Sequence, residues 1–258
     1  MRWNPKQYLE FSGHRLRPAL DLINQISAES PARVYDLGCG PGNITRMLAE
    51  RWPGASVCGS DSSPDMLARA CEEPSTVDWR ESDINSWTAE FPADIIFSNA
   101  ALQWLDDHKA LFGRLLSMLN PGGVLAVQMP KNFTAPSHLL RDAVAGSGPW
   151  ADMLAPLYRQ APILSPDFYY DLLAPGSASV DIWETEYTHI LEGANPVLDW
   201  ISGTALKPYL DAFDSAGKAN WKEAFLEEYK SRLNEAYPKR MDGRTLFSFR
   251  RLFIVIVK

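Results

Sequence analysis

A glycine-rich segment near residue 40 is the part of the chain whose residue types and spacing most clearly predict chemistry. The letters DLGCGPGN (36–43) place glycines at positions 38, 40 and 42, directly after a short apolar run. Glycine tolerates positive φ and lets a ligand approach bare backbone. A helix that starts after this loop would add free N–H groups and partial positive charge. The segment therefore predicts a loop that binds a small molecule, and a tight turn without a ligand is the alternative.

The residues around this loop narrow the kind of ligand. A dinucleotide fingerprint, G-x-G-x-x-G, needs Gly or Ala where this chain has Asn43, and Pro41 also departs from the pattern. The carboxylate of Asp36, just before the loop, would repel a pyrophosphate but would attract a ligand that carries an ammonium group. These residues favour S-adenosylmethionine over NAD or FAD, and an NAD-dependent dehydrogenase is the weaker alternative.

Two acidic positions further along the chain are consistent with the same ligand. Asp61 ends the second apolar run, where a carboxylate can accept hydrogen bonds from both ribose hydroxyls. Alternatively, Asp61 helps Ser62 and Ser63 to cap a helix. Asp83 and Ile84 follow the third run, where they would offer adenine a carboxylate and an apolar wall. The alternative for Asp83 is a solvated position in a turn.

Alternating strands and helices must position these residues. Short runs rich in Val and Ile, bounded by Gly, Pro, Ser or Asp, predict strands. These runs are RVYDL (33–37), SVCGSD (56–61), VDWRE (77–81), DIIFSNA (94–100) and VLAVQMP (124–130). Helical patterns separate most of them: NITRMLAERW (43–52), SPDMLARACEE (63–73) and HKALFGRLLSML (108–119). This alternation predicts a parallel sheet covered by helices on both faces.

The second half of the chain predicts a different arrangement. Two long β patterns, ASVDIWETEYTHIL (178–191) and LFSFRRLFIVIVK (246–258), predict neighbouring antiparallel strands, with a helical cap over 195–240 between them. The fold is therefore expected to be α/β: a Rossmann-like, seven-stranded, mostly parallel sheet whose last strand is antiparallel. We expect one domain over 1–258. Along the chain it comprises N-terminal helices forming a lid (1–30), a cofactor-binding core (31–131), the cap with strand six (132–245) and the last strand (246–258).

Composition and charge exclude several classes of protein. The net charge of −7 argues against a nucleic-acid partner, because phosphate binding needs a basic field. The longest apolar run, FIVIV (253–257), is far shorter than the roughly 20 residues that span a bilayer. The first residues lack the apolar stretch of a signal peptide. The three cysteines form no CxxC pair, so no metal site or disulfide framework is expected. We expect a reduced, cytoplasmic location, and the sequence does not predict an oligomeric state.

Four motifs together resemble the class I S-adenosylmethionine-dependent methyltransferases over about residues 30–130: DLGCGPG, the acidic end of GSD, the SDI turn and FSNAALQWL. The resemblance implies cofactor contacts at matching positions along these motifs. For the methionine part of the cofactor, it implies contacts from Gly38, Cys39 and Gly40, from Asp36 near the ammonium group, and from the backbone of Asn99 and Ala100. For the ribose, it implies contacts from Asp61 and the neighbouring Ser62. For the adenine, it implies contacts from Met66, Asp83 and Ile84.

A narrower resemblance runs nearly from end to end. The segments WNPKQYLEFSGHRLRP, NAALQWLDDH, VQMPKN, VDIWETEY and RLFIVIV are similar to those of the trans-aconitate methyltransferase family. This resemblance implies methyl transfer to a carboxylate oxygen of a small polycarboxylic acid, giving a monomethyl ester and S-adenosylhomocysteine. Methylation of another small acid or of a metabolite carbon stays open, as does a protein that binds the cofactor without catalysis.

A carboxylate substrate sets modest chemical demands. With a pKa near 4, the nucleophile is already ionised at pH 7, so no general base is needed. The reaction would be one in-line displacement, which the protein promotes by alignment and by exclusion of water. Gln103 and Trp104, after the fourth strand, are expected to position the reacting groups. Candidates for holding the anion lie in the N-terminal segment and after the fifth strand: Tyr8, His14, Arg15, Arg17 and Lys131.

Overall fold

A computed structural model describes residues 16–158 and 163–258 of the protein. The predictions for Tyr8, His14 and Arg15 lie outside the described residues. Helices and strands alternate along most of the described chain. In chain order they are α1 (Arg17–Asn24), β1 (Arg33–Leu37), α2 (Asn43–Arg51), β2 (Ser56–Asp61), α3 (Pro64–Ala70), β3 (Asp78–Glu81), β4 (Ala93–Asn99), α4 (His108–Ser117), β5 (Leu119–Pro130), α5 (Pro136–Ser147), α6 (Ala151–Leu154), α7 (Pro166–Leu173), β6 (Ser179–Leu191), α8 (Pro196–Ser202), α9 (Lys207–Ser215), α10 (Ala219–Ala236) and β7 (Thr245–Val257).

The strands form one seven-stranded sheet in the order β3-β2-β1-β4-β5-β7-β6. Strands β1 to β5 pair in parallel, and β7 runs antiparallel to β5, with Val124 opposite Val257 and Pro130 opposite Arg251. The predicted sheet is therefore confirmed, including the antiparallel last strand next to β6. The strand order reverses between β1 and β4, and open α/β sheets bind ligands at the carboxyl ends of strands at such a switch point.

Local signals in the sequence explain where several elements begin. The Ser63 hydroxyl accepts a hydrogen bond from the N–H of Met66, and Pro64 occupies the first turn of α3. At the start of β1, one carboxylate oxygen of Asp94 accepts the N–H groups of Ala32 and Arg33 at 2.7 and 3.0 Å. This side chain joins the beginnings of β1 and β4.

Strand β5 begins earlier than its apolar pattern predicts. The sequence predicts a start at Val124, after the residues Asn120, Pro121, Gly122 and Gly123 that are typical of a turn. The strand instead begins at Leu119, which pairs with Ala93. The N–H of Gly122 donates to the carbonyl of Lys258, and the N–H of Lys258 donates to the carbonyl of Gly123. These bonds to the far end of the chain extend the β structure through a segment that reads locally as a turn.

The chain divides into two compact units. The first comprises the described residues within 1–130, 162–185 and 251–258, and the second comprises those within 131–161 and 186–250. In the first unit, Val34, Ile95 and Ile254 are completely buried in the sheet. In the second, aromatic rings pack together, with the centroids of Trp150 and Phe225 5.5 Å apart. The prediction of a single domain over 1–258 stays a prediction.

Helices α8, α9 and α10 follow β6 and precede β7 in the chain, so the predicted helical segment between the last two strands is confirmed. Among the residues described, none of the helices combines the length and the apolar character that a membrane span requires.

Candidate functional site

The glycine loop after β1 has the backbone conformation that its sequence predicts. Gly38, Gly40 and Gly42 have φ values of +76°, +55° and +80°, which lie in the left-handed region. The N–H groups of Gly38 and Cys39 donate to the carbonyl of Ser60 at 2.8 and 3.0 Å, which joins the loop to β2. The loop is therefore a fixed feature at the carboxyl ends of β1 and β2.

The three glycines differ in what surrounds them. A Cβ atom at Gly38 would lie 2.2 Å from the Cβ of Ala101, and one at Gly42 would lie 2.4 Å from the indole ring of Trp79. A Cβ atom at Gly40 would meet no protein atom within 4 Å. Packing thus explains two of the glycines, whereas Gly40 faces open space in which a ligand could contact bare backbone.

Asp61 connects this loop to the start of α3. Its Oδ2 accepts the N–H of Gly40 at 2.8 Å, and its Oδ1 accepts the N–H of Ser63 at 2.9 Å. The second bond is the one that the capping alternative predicts. A carboxylate offers about four lone-pair sites, so both oxygens keep capacity for ligand hydroxyls. Ser62 and Met66, which follow it, are exposed.

Asp36 is buried beneath the loop, with 2% of its surface exposed. Thr45 on α2 donates its hydroxyl to Oδ2 of Asp36 at 2.6 Å. Burial raises the pKa of Asp36 to about 7, the Thr45 hydrogen bond opposes this rise, and the charge of Asp61 adds to it. A positively charged ligand group bound near Asp36 would stabilise the ionised form of this carboxylate, so the site favours a cationic ligand group over a neutral one.

The turn after β3 lies against the same loop. Ile84 is buried, and its Cδ1 would lie 3.6 Å from a Cβ atom at Gly38. Asp83 is exposed, and its Oδ1 accepts the backbone and side-chain N–H groups of Asn85 at 2.9 and 3.0 Å. This turn geometry agrees with the solvated-turn alternative for Asp83.

The segment after β4 contains a strained residue and two buried acceptors. Ala100 has a φ of +58°, unusual for a residue with a Cβ atom, and such strain is concentrated at functional sites. The N–H of Ala100 donates to the carbonyl of Gln128, and Nε2 of Gln103 donates to the carbonyl of Ala100 at 2.6 Å. Oδ1 of Asn99 and Oε1 of Gln103 are buried and have no hydrogen-bond donor. Trp104 closes this turn with 52% of its surface exposed.

Two residues predicted to hold the substrate lie within the described chain. Arg17 is the first residue of α1 and is exposed. Lys131 follows β5, as predicted, and its N–H donates to the carbonyl of Arg250 at 2.8 Å. Their contact with an anion stays a prediction.

Sequence reasoning missed three buried polar residues of the first unit. Gln128 is fully buried on β5, where its Oε1 accepts Nη1 of Arg251 at 3.1 Å. His108 is buried and has a ring nitrogen 3.0 Å from the carbonyl of Leu102. A sequence signal did exist for Arg251, because it directly precedes the apolar run of residues 252–257.

Comparison with known proteins identifies the family. Residues 34–123, which contain the glycine loop and the segment after β4, match the methyltransferase domain family. A trans-aconitate 2-methyltransferase from Azoarcus sp. (strain BH72) is 44% identical over 257 residues, which cover 99% of each chain. The chain belongs to the trans-aconitate 2-methyltransferase family. The predicted membership of the S-adenosylmethionine-dependent methyltransferases is thereby confirmed, because the likeness spans the whole chain as well as the cofactor core.

Solved structures share the fold of this trans-aconitate 2-methyltransferase family member. A putative methyltransferase from Bacillus halodurans has a TM-score of 0.59 at 14% identity, with 94% of this chain and 99% of that chain covered. Phosphoethanolamine N-methyltransferase 2 from Haemonchus contortus, in complex with S-adenosyl-L-methionine, has a TM-score of 0.52 at 19% identity. The match covers 94% of this chain and 52% of that one, so this chain spans about half of its length.

The residues present fit the cofactor of this family. S-adenosylmethionine carries an ammonium group, ribose hydroxyls and a flat base. Oδ1 of Asn99 and Oε1 of Gln103 are buried acceptors that need donors, and the open space at Gly40 gives a ligand access to the backbone. The donor and acceptor chemistry of the site is therefore compatible with the cofactor.

Proposed function

We propose that this protein transfers the methyl group of S-adenosylmethionine to a carboxylate oxygen of trans-aconitate, giving a monomethyl ester and S-adenosylhomocysteine. The observation that carries the proposal is identity of 44% over 99% of a trans-aconitate 2-methyltransferase. The match includes the parts of the chain outside the methyltransferase domain at 34–123, where substrate-specific residues of this family would differ from those of other methyltransferases.

The cofactor would bind along the carboxyl ends of β1 to β4. Gly40 would contact it through backbone, and the ionised form of Asp36 would attract its ammonium group. Asp61 would accept the ribose hydroxyls while it keeps its bonds to Gly40 and Ser63. The other proposed contacts are Gly38, Cys39, Ser62, Met66, Asp83, Ile84, Asn99 and Ala100.

When bound, S-adenosylmethionine supplies a methyl group on a positively charged sulfur. The chain's own residues need not remove a proton, because a carboxylate substrate is already ionised at neutral pH. Their tasks are to align the carboxylate and to exclude water, and alignment alone can contribute roughly 7–11 kcal/mol. The turn that carries Gln103 and Trp104 would do this, since the hydrogen bond from Gln103 to Ala100 fixes its position relative to β4.

Cations and polar groups from the start of the chain and from the end of β5 would hold the remaining carboxylates. The proposed residues are Tyr8, His14, Arg15, Arg17 and Lys131. The partner would be a small anionic acid rather than a nucleic acid, and the proposed location is the cytoplasm.

A product assay tests the proposal directly. The purified protein would be incubated with S-adenosylmethionine and a panel of di- and tricarboxylic acids, and each acid would be analysed by mass spectrometry for added methyl. Trans-aconitate should be methylated with the highest kcat/KM of the panel. Preferred methylation of another acid would replace the substrate, and cofactor binding by calorimetry without any methylated acid would favour the non-catalytic alternative.

A further inference from the structure

Gln128 and Arg251 form a buried polar pair at the edge of the sheet where ligands bind. Gln128 lies opposite Asn99, the last residue of β4, and Arg251 lies opposite Pro130, the last residue of β5. Residues directly opposite each other, and residues two apart on one strand, share a face of the sheet. The side chains of Asn99, Gln128 and Arg251 therefore project from the same face, at the carboxyl ends of β4 and β5.

The hydrogen bond between the pair determines the orientation of the Gln128 amide. An arginine guanidinium can only donate, so the amide atom that meets Nη1 of Arg251 must be the oxygen, as observed at 3.1 Å. The amide nitrogen consequently points away from Arg251. It is buried and has no acceptor. A buried donor without a partner is costly, and proteins retain one mainly where a ligand or a water supplies the acceptor.

The chemistry of the pair defines the group that would satisfy it. The Gln128 amide nitrogen needs an acceptor, and the positive charge of Arg251 beside it excludes an ammonium group or a metal cation. Arginine binds carboxylates through paired, charge-assisted hydrogen bonds. Both residues have less than a tenth of their surface exposed, so a charged hydrogen bond here would be only weakly screened by water.

We propose that the Gln128 amide nitrogen and the Arg251 guanidinium bind the carboxylate on the central carbon of the substrate, and that a different carboxylate is methylated. The inference rests on the proposed function. Neighbouring strands lie about 4.8 Å apart, a distance similar to that between the carboxyl groups of a propene tricarboxylic acid. A substrate whose reacting carboxylate lies at the Gln103 turn after β4 can thus place a second carboxylate beside β5 and β7. The pair would then select a tricarboxylate over a smaller acid.

The methionine carboxylate of the cofactor is the other anion with the same chemistry, and the experiment must separate the two. Gln128→Glu is the sharpest variant, because it keeps an oxygen for Arg251 and replaces the donor by an acceptor that repels an anion. Gln128→Met has a similar size and removes the donor without adding charge, so it controls for the new charge. For wild type and both variants, we would measure KM for trans-aconitate and for glutaconate, which lacks the carboxylate on the central carbon. We would also measure S-adenosylmethionine affinity by calorimetry and the melting-temperature increase that trans-aconitate causes in the protein saturated with S-adenosylhomocysteine.

The expected result is a KM for trans-aconitate about ten- to a hundred-fold higher in Gln128→Glu, a smaller rise in Gln128→Met, and a loss of the melting-temperature increase. KM for glutaconate and cofactor affinity should change less than about two-fold.

An equal rise in KM for both acids would overturn the inference. A loss of cofactor affinity would also overturn it and would assign the pair to the cofactor carboxylate. A lower melting temperature with unchanged discrimination would show a purely structural pair. If the wild type neither binds nor methylates any acid, the proposed function fails together with this inference, whereas an active wild type with unaffected variants overturns the inference alone.

Discussion

The Nδ1 atom of His108 lies 2.6 Å from the hydroxyl oxygen of Tyr169 in the interior of the first unit. The other ring nitrogen lies 3.0 Å from the carbonyl of Leu102, which can only accept, so Nε2 carries the proton and Nδ1 accepts from Tyr169. The Tyr169 oxygen in turn accepts the N–H of Leu164 at 3.3 Å. Burial lowers the pKa of His108, which favours this neutral form. The chain of hydrogen bonds thus joins α7 to the turn at Leu102–Trp104.

Replacement of Tyr169 by Phe should loosen that turn. The change leaves the buried Nδ1 of His108 without a donor, which costs about 1–3 kcal/mol of unfolding free energy. We expect kcat to fall while S-adenosylmethionine affinity stays within about two-fold, because the turn would position the substrate rather than the cofactor. Urea unfolding, steady-state kinetics and calorimetry measure the three quantities. Tyr170→Phe is the matched control, since Tyr170 is 56% exposed on the same helix. Equal kcat values in both variants would contradict a positioning role.

Alanine substitutions at Gly40 and Gly42 should have different effects. Both residues have positive φ, which costs an alanine about 1–2 kcal/mol. At Gly42 the new methyl group would also collide with the Trp79 ring, so Gly42→Ala should lower the melting temperature much more. Gly40→Ala should weaken cofactor binding at least ten-fold with a smaller loss of stability, because its methyl group would enter the ligand space. Calorimetry and thermal unfolding test both variants, and wild-type affinity in Gly40→Ala would remove this residue from the site.

Asp61→Ala should weaken S-adenosylmethionine binding by about 2 kcal/mol or more, since the ribose hydroxyls would lose a charged acceptor. The variant also loses the bonds to Gly40 and Ser63. Asp61→Asn keeps one acceptor oxygen and should bind with intermediate affinity. Asp65→Asn is the control, because Asp65 is exposed on α3. If calorimetry gave the same dissociation constant for Asp61→Ala as for wild type, the ribose contact would be wrong.

The pH dependence of stability should carry a contribution from Asp36. Its pKa is about 7 in the folded protein and near 3.8 when unfolded, so the folded state binds more protons between these values. Stability from this group is therefore greatest at low pH and declines as pH rises from about 4 to about 7. Asp36→Asn should remove this decline, which urea unfolding of both proteins from pH 4.5 to 8 would measure. Parallel curves would show that Asp36 is ionised throughout the range.

Arg15→Ala and Arg17→Ala should raise KM for the tricarboxylate if the start of the chain supplies cations to the substrate. Cofactor affinity and melting temperature should then remain near the wild-type values. The matched control is Arg69→Ala, which removes an exposed arginine from α3. Unchanged KM in both N-terminal variants would shift the anion site toward Lys131, Gln128 and Arg251.

The sequence by itself determined the local elements of the cofactor core and their order. The bounds of β1 and β2, the positive φ of the loop glycines and the Ser63 cap follow from neighbouring residues, because they depend on hydrophobic period and on the steric freedom of glycine. The family resemblance then supplied roles for residues that these elements carry. The reversal of strand order between β1 and β4 explains why motifs far apart in sequence reach one edge of the sheet.

Only the tertiary structure decided the contacts between distant segments. Gln128 and Arg251 are 123 positions apart, and His108 and Tyr169 are 61 apart, so no local period relates them. The early start of β5 depends on the carbonyl of Lys258 at the far end of the chain. The raised pKa of Asp36 likewise needs the burial that packing produces, since an aspartate beside a glycine loop would titrate near its ordinary value if water reached it.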